Sequence, residues 1–246
     1  MSKKAICIDH IRCPKCGSRD NVGLYDDGSE WCFGGCGYYK APAGMARIMS
    51  VVRPSERNSK YTDVVLPDDV TYRIQDNHLS WLRKYGITTP EIIKYRIMSS
   101  PTQGLILPIY DTSGQELIFY INRPMTDNRP KSIDHGPKPL VLFGNKECKN
   151  PDVVVVVEDY ISALKVSRDY LCVPLFGSFM STETLLKLRR RFKTVVYWLD
   201  PDKYLVSVRM MMRTSTLIQS HVIKADKDPK DYTSAQVVSY VEECLK

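Results

Sequence analysis

The stretch "DVVVVVEDYISALKVSRDYLCVPLFGS", residues 152–178, decides the fold. Its five valines, 153–157, form a strand that is apolar at every position. Strands with one wet face alternate apolar and polar residues, whereas continuous apolar strands belong to parallel sheets buried on both faces. "DYISALKVSRDY" then reads as a helix, and "LCVPLFGS" as a strand running into a turn. Strand, helix and strand in this order make a unit of parallel pairing.

The alternation continues toward the C-terminus. "STETLLKLRRRFK" is a helix with a Ser/Thr N-cap and an acid in its first turn. "TVVYWL" is a strand, "YLVSVRMMMRTSTLIQS" a helix, "HVIKA" a strand and "SAQVVSYVEECL" a last helix. The expected fold class of residues 151–246 is therefore α/β, with an open, mostly parallel sheet.

Residues 63–150 read as a small α+β subdomain preceding that sheet. "DNHLSWLRKYG" is a helix with Gly86 as its C-cap. A second helix starts at Thr89, with Pro90 first and Glu91 in the first turn. "GLILPIYDTSGQELIFYINRP" is a hairpin turning near Ser113-Gly114. Residues 49–62 are polar and aperiodic, as a linker is, and residues 1–48 hold few aliphatics and many glycines and cysteines.

The chain has 246 residues, 43% of them hydrophobic, and room for one large domain or two smaller ones. No apolar run approaches the ~18 residues of a membrane span. The N-terminus carries no export-type segment, so a cytoplasmic protein without a membrane partner is expected. The formal charge of +7 leans toward a polyanionic partner.

Three of the expected strands end in acid: Glu158-Asp159, then Asp200-Pro201-Asp202, then "DKDPKD" with Asp226, Asp228 and Asp231. Ligands of open α/β sheets bind at the carboxyl ends of the strands. Two carboxylates about 5 Å apart repel by roughly 3 kcal/mol at an effective dielectric of 20. A divalent cation between them removes that penalty, and Mg²⁺ is held by one or two carboxylates together with water and phosphate. Any single acid after a strand can equally be the N-cap of the next helix.

Four of the eight cysteines fall in "CPKCGSRDNVGLYDDGSEWCFGGC", spaced C-x2-C, fifteen residues, C-x3-C. Cys13, Cys16, Cys32 and Cys36 suit a closed, tetrahedral, structural Zn²⁺ site. His10 is a nearby competitor for the metal, or a packing residue.

The order Glu158, "DPD", "KDPKD" resembles the TOPRIM domain of primases and topoisomerases. The resemblance makes Glu158, Asp200, Asp202 and Asp228 the catalytic acids that hold Mg²⁺ or Mn²⁺. The chain departs from that pattern at Asp159, where glycine is usual, at Ser162, where an acid is usual, and at Leu205, where glycine is frequent. "HIRCPKCGS", "SEWCFGGCGYYK", "KPLVLFGNKE" and "VVVVVEDYISAL" resemble the phage-type DNA primases, in which a zinc ribbon precedes a TOPRIM RNA polymerase domain. This similarity spans nearly the whole chain. It implies synthesis of short RNA primers on a single-stranded DNA template from ribonucleoside triphosphates.

By the same resemblance, the loop "YDDGSEW" helps read the template, through Asp27 and Trp31, although Trp31 can also simply pack on the zinc knuckle. Arg123, Arg129 and Lys131 of "INRPMTDNRPKS" would line the nucleotide and template groove. Lys187, Arg189, Arg190, Arg191 and Lys193 cover all faces of a helix and read mainly as solvated surface. No G-x-x-x-x-G-K-[ST] occurs, so a replicative helicase is expected to be a separate polypeptide. Nothing in the chain suits the strand-passage gate of a topoisomerase. The other readings are a metal-dependent nuclease using the same acids, and a zinc-ribbon nucleic-acid binder on an inert scaffold.

Overall fold

The computed structural model describes residues 7–26, 28–34, 36–40, 64–125, 130–144 and 147–246. The segment expected to be a linker, 49–62, lies outside the described residues, as do Asp27 and Arg129. The chain divides into two compact units, Met1–Asn58 and Ser59–Lys246.

The first unit contains a four-stranded antiparallel sheet in sequential order: β1 (Cys7–Ile11), β2 (Val22–Tyr25), β3 (Glu30–Cys32) and β4 (Tyr39–Lys40). Its buried apolar centre consists of Cys13, Val22 and Cys32, with Ile11, Cys36 and Tyr38 against it. So small a core cannot offset the entropy of ordering the strands. Side chains of β3 alternate as a strand requires: Glu30 and Cys32 are buried, and Trp31 is exposed. The Glu30 carboxylate accepts from Tyr38 Oη and from Lys40 Nζ, each at 2.6 Å, and these bonds, led by the one from Lys40, lower its pKa.

The second unit starts with two short helices, α1 (Asp76–Lys84) and α2 (Thr89–Lys94). Helix α1 ends where Gly86 takes φ +67°, and the Gly86 and Ile87 amides bond back to the carbonyls of Arg83 and Leu82. Helix α2 has a capping box between Thr88 and Glu91, with Pro in its first turn. An antiparallel sheet follows, β5 (Met98–Ser100), β6 (Gly104–Tyr110), β7 (Leu117–Arg123) and β8 (Ile133–His135), again in sequential order. The β6–β7 turn is built on Asp111, whose carboxylate accepts from Ser113 Oγ and from the Gln115 and Glu116 amides. These bonds, Ser113's foremost, lower its pKa to about 2.

The rest is the parallel sheet: β9 (Val153–Val157), α3 (Tyr160–Val166), β10 (Leu171–Pro174), α4 (Thr182–Arg189), β11 (Thr194–Tyr197), α5 (Tyr204–Thr214), β12 (Gln219–Val222) and α6 (Ser234–Cys244). The strand order is β10-β9-β11-β12, all parallel. Strand β9 is buried at all five positions, as its composition requires. Val153, Val155 and Val157 belong to a core that includes Leu164 of α3, Trp198, and Val237 and Val241 of α6. Val154 and Val156 belong to the opposite core, with Leu185 and Leu188 of α4 and Met210 of α5.

Several elements are shorter or earlier than their sequence suggests: α3 ends at Val166, α4 at Arg189 and β11 at Tyr197, each before the end of the stretch read for it. The helix expected over 204–220 stops at Thr214, and the strand expected over 221–225 runs Gln219–Val222. Thr214 Oγ1 bonds the Met210 carbonyl of its own helix at 2.9 Å and accepts from Tyr197 Oη at 3.0 Å. That anchorage to a neighbouring strand is a tertiary signal with no local sequence mark.

Candidate active site and thiolate cluster

From β9 the chain passes to β10 on one side, then crosses back to β11 on the other. The reversal opens a crevice between the carboxyl ends of β9 and β11, where open α/β sheets bind ligands. Glu158 is the first residue beyond β9, and Asp200 follows β11 by three. Both line a cleft of about 380 Å³, together with Asp159, Asp228, Lys230, Arg123 and Lys131. Three of the four expected acids therefore share one cavity with two of the three expected cations. Asp202 is not among the lining residues. The turn Pro201–Lys203 carries it outward, where its side chain is 70% exposed and pairs with Lys203 at 3.0 Å.

The electrostatics of the cleft are those of acids short of partners. Glu158 Oε2 and Asp200 Oδ1 are buried and have no hydrogen-bond partner among the described residues. Burial raises the Asp200 pKa to about 7, with Asp228, Asp159 and Glu158 adding to the rise and Lys230 opposing it. Glu158 is raised as well, by burial first, with Lys203 opposing and Asp202 and Asp159 adding. Orphaned buried oxygens on two carboxylates of one cleft are costly, and a divalent cation bound there would offset that cost. The donor set, hard carboxylate oxygens beside open space for water and phosphate, fits Mg²⁺ or Mn²⁺.

Asp159, where the TOPRIM resemblance expects glycine, N-caps α3 by accepting from the Ile161 and Ser162 amides at 2.8 and 2.9 Å. It also accepts from Ser162 Oγ at 2.8 Å. Ser162, where that pattern has an acid, is fully buried. The chain thus carries its extra carboxylate at 159 and a neutral donor at 162. Lys230 was not singled out from the sequence: its Nζ lies 2.7 Å from Asp228 and 3.0 Å from Asp159, and its side chain is 16% exposed. Its place between Asp228 and Asp231 in "DPKD" was the available clue. Arg123 lays its guanidinium over the Trp81 ring, 4.5 Å from the centroid, which fixes one cation of the cleft wall.

The basic run at the end of α4 and just beyond it is exposed, and Lys187 and Lys193 pair with Glu183 and Asp152. None of it lines the acidic cleft.

In the first unit, the Sγ atoms of Cys13, Cys16, Cys32 and Cys36 all lie within 4.8 Å of one another. Cys13 and Cys36 are 3.5 Å apart, and Cys16 and Cys32 are 3.9 Å apart. A tetrahedral zinc with Zn–S near 2.3 Å separates its sulfurs by about 3.8 Å. The four thiols fit that ion. Hydrogen bonds from Ser18 lower the Cys16 pKa to about 6, whereas burial raises Cys36 to about 12. His10 bonds the Asp20 carbonyl through Nδ1 and stacks on Phe33, outside the cluster. Trp31 stands 49% exposed and edge-on to Tyr39, its cross-strand partner, rather than buried with the thiols.

No protein-family model and no curated protein matches the chain. Solved structures do. The DnaG catalytic core matches with a TM-score of 0.55 at 14% identity, over 74% of this chain and 76% of that one. The E. coli primase catalytic core matches with a TM-score of 0.53 at 15% identity, over 69% and 72%. The primase fragment of the bacteriophage T7 primase-helicase protein is 18% identical over 98% of this chain and 100% of that one, with a TM-score of 0.48. No helix among the described residues is long and apolar enough to cross a membrane. An N-terminal four-cysteine unit precedes an α/β unit with an open parallel sheet, and over about three quarters of its length the chain shares the fold of primase catalytic cores.

Proposed function

We propose that the protein is a DNA primase: a DNA-directed RNA polymerase that makes short primers on single-stranded DNA from ribonucleoside triphosphates. The observation that carries this reading is the crevice between β9 and β11, where Glu158, Asp200 and Asp228 meet Arg123 and Lys131 with two carboxylate oxygens unpartnered. The shared fold with primase cores supports the same reading.

Glu158, Asp200 and Asp228 would hold Mg²⁺ or Mn²⁺, and Asp202, paired with Lys203 at the rim, would join them by turning its side chain inward. Such a cation would lower the pKa of the attacking 3′-hydroxyl and neutralise charge developing on the α-phosphate. Arg123 and Lys131 bind the triphosphate, which bare carboxylates would repel. Trp81 keeps the Arg123 guanidinium in the cleft wall. Arg129 would add a third cation to the groove. In the first unit, Trp31 and Tyr39 offer exposed rings on which template bases can stack, and Asp27 would contact a base edge. A replicative helicase is the partner that would bring such a primase to unwound template.

Single-stranded DNA, Mg²⁺ and labelled ribonucleotides test the proposal. Short RNA products are expected. Shortened DNA would mark a nuclease, and retention without chemistry a binding protein. Asp200→Ala and Asp202→Ala should each cut synthesis by at least about a thousandfold while zinc content stays unchanged. Undiminished synthesis by both variants would overturn the assignment of the acids.

A further inference from the structure

Lys230 is an ammonium set inside a carboxylate cluster. It sits 2.7 Å from Asp228 and 3.0 Å from Asp159, mostly out of solvent, and it lines the same cleft as Glu158 and Asp200. Its two partners are held very differently. Asp159 is locked by three hydrogen bonds from the first turn of α3. Asp228 precedes the short turn Pro229–Asp231 and makes no side-chain cap to it. One carboxylate is held by its helix as well as by Lys230, and the other is not held by the turn it precedes.

We propose that Lys230 is a resident counter-cation that stands in for the divalent metal: it pairs with Asp228 while the cluster is metal-free, and it is displaced toward the cleft, still tethered to Asp159, when a divalent cation takes Asp228. The inference rests on the metal reading given under Proposed function. The physical ground is competition for one carboxylate. Mg²⁺ binds oxygen at about 2.0–2.1 Å, and an ammonium on the same carboxylate group adds like-charge repulsion to the ion's cost of entry. Asp159, fixed in place, keeps the displaced ammonium beside Arg123 and Lys131, the groups that face phosphate. Burial alone would lower the Lys230 pKa, but Asp159, Asp228 and Asp200 together raise it above the usual lysine value, so it is a cation throughout the working range.

Lys230 is thus a positioning residue, and Mn²⁺ affinity is the readout. Zinc-loaded wild type, Asp200→Ala, Lys230→Met, Lys230→Gln and Lys230→Arg are titrated with Mn²⁺, and free Mn²⁺ is followed by electron paramagnetic resonance. Lys230→Met and Lys230→Gln should bind Mn²⁺ at least about tenfold more tightly than wild type, and Lys230→Arg within about threefold of it. The two neutral variants should also show a several-fold higher KM for nucleoside triphosphate. A merely structural lysine predicts the reverse sign, since a loosened cluster holds metal less well. Equal or weaker Mn²⁺ binding in the folded neutral variants overturns the inference. If wild type fails to bind Mn²⁺, or Asp200→Ala binds it equally well, the metal reading itself fails. Should Lys230→Met not fold, Lys230→Gln, which can still bond both carboxylates, decides the outcome.

Discussion

The two units of this chain solve the problem of staying folded in opposite ways. In the first, the buried apolar set is Cys13, Val22 and Cys32, two of them metal-ligand thiols. In the second, β9 separates two continuous apolar layers. One unit is organised around four thiols that fit a zinc ion, the other around the exclusion of water. The same contrast recurs in chemistry: soft thiols gather closely enough to enclose one metal, while hard carboxylates at a sheet edge border an open cleft.

The largest way to break this comparison is to remove zinc. Chelation should unfold the first unit, because metal binding supplies an apparent ~10–16 kcal/mol in sites of this kind. Protease cutting within residues 7–40, with the helical circular dichroism of the second unit retained, is the expected result. A middle-sized change tests the other side. Leu164→Ala empties a position only 1% exposed beneath β9 and should cost about 2–5 kcal/mol in denaturant unfolding, with full zinc content. The smallest effect is a pH dependence. His78 is 2% exposed and bonds Ser99 Oγ through Nδ1 at 2.8 Å, and burial lowers its pKa below 6.5. Under acid the unfolded chain takes up a proton that the folded chain refuses, so stability falls as pH drops below about 6.5. In His78→Gln that slope should flatten, and a slope equal to wild type's would show that another group titrates.

Much of this architecture was legible in the residues. The unbroken valine run announced a strand covered on both faces, and the cysteine spacing announced a tetrahedral ion. The acids after β9 and β11 marked the rim because strand ends are where such sheets bind ligands. Other features depend on distant partners. The stop of α5 at Thr214 is set by Tyr197 on a neighbouring strand. The ion pair of Lys230 with Asp159 joins residues 71 positions apart, and no window along the chain contains both. Asp159 shows the bland and the functional readings coexisting: it is the N-cap of α3 and also a wall of the acidic cleft.

Strand β9 has one more consequence. Five identical side chains carry little address of their own: sliding the strand by two residues returns a valine to three of the five sites, on the same layer, and brings Pro151 and Asp152, or Glu158 and Asp159, into the other two. Its alignment must come from the ends. The Asp152 carbonyl accepts from the amides of Lys193 and Thr194, and the Glu158 carbonyl from that of Gly177. A slipped strand would force an acid into a buried site and carry Glu158 about 6.6 Å along the sheet, away from Asp200. The acids that flank the valines thus guard the register on which the geometry of the cleft depends.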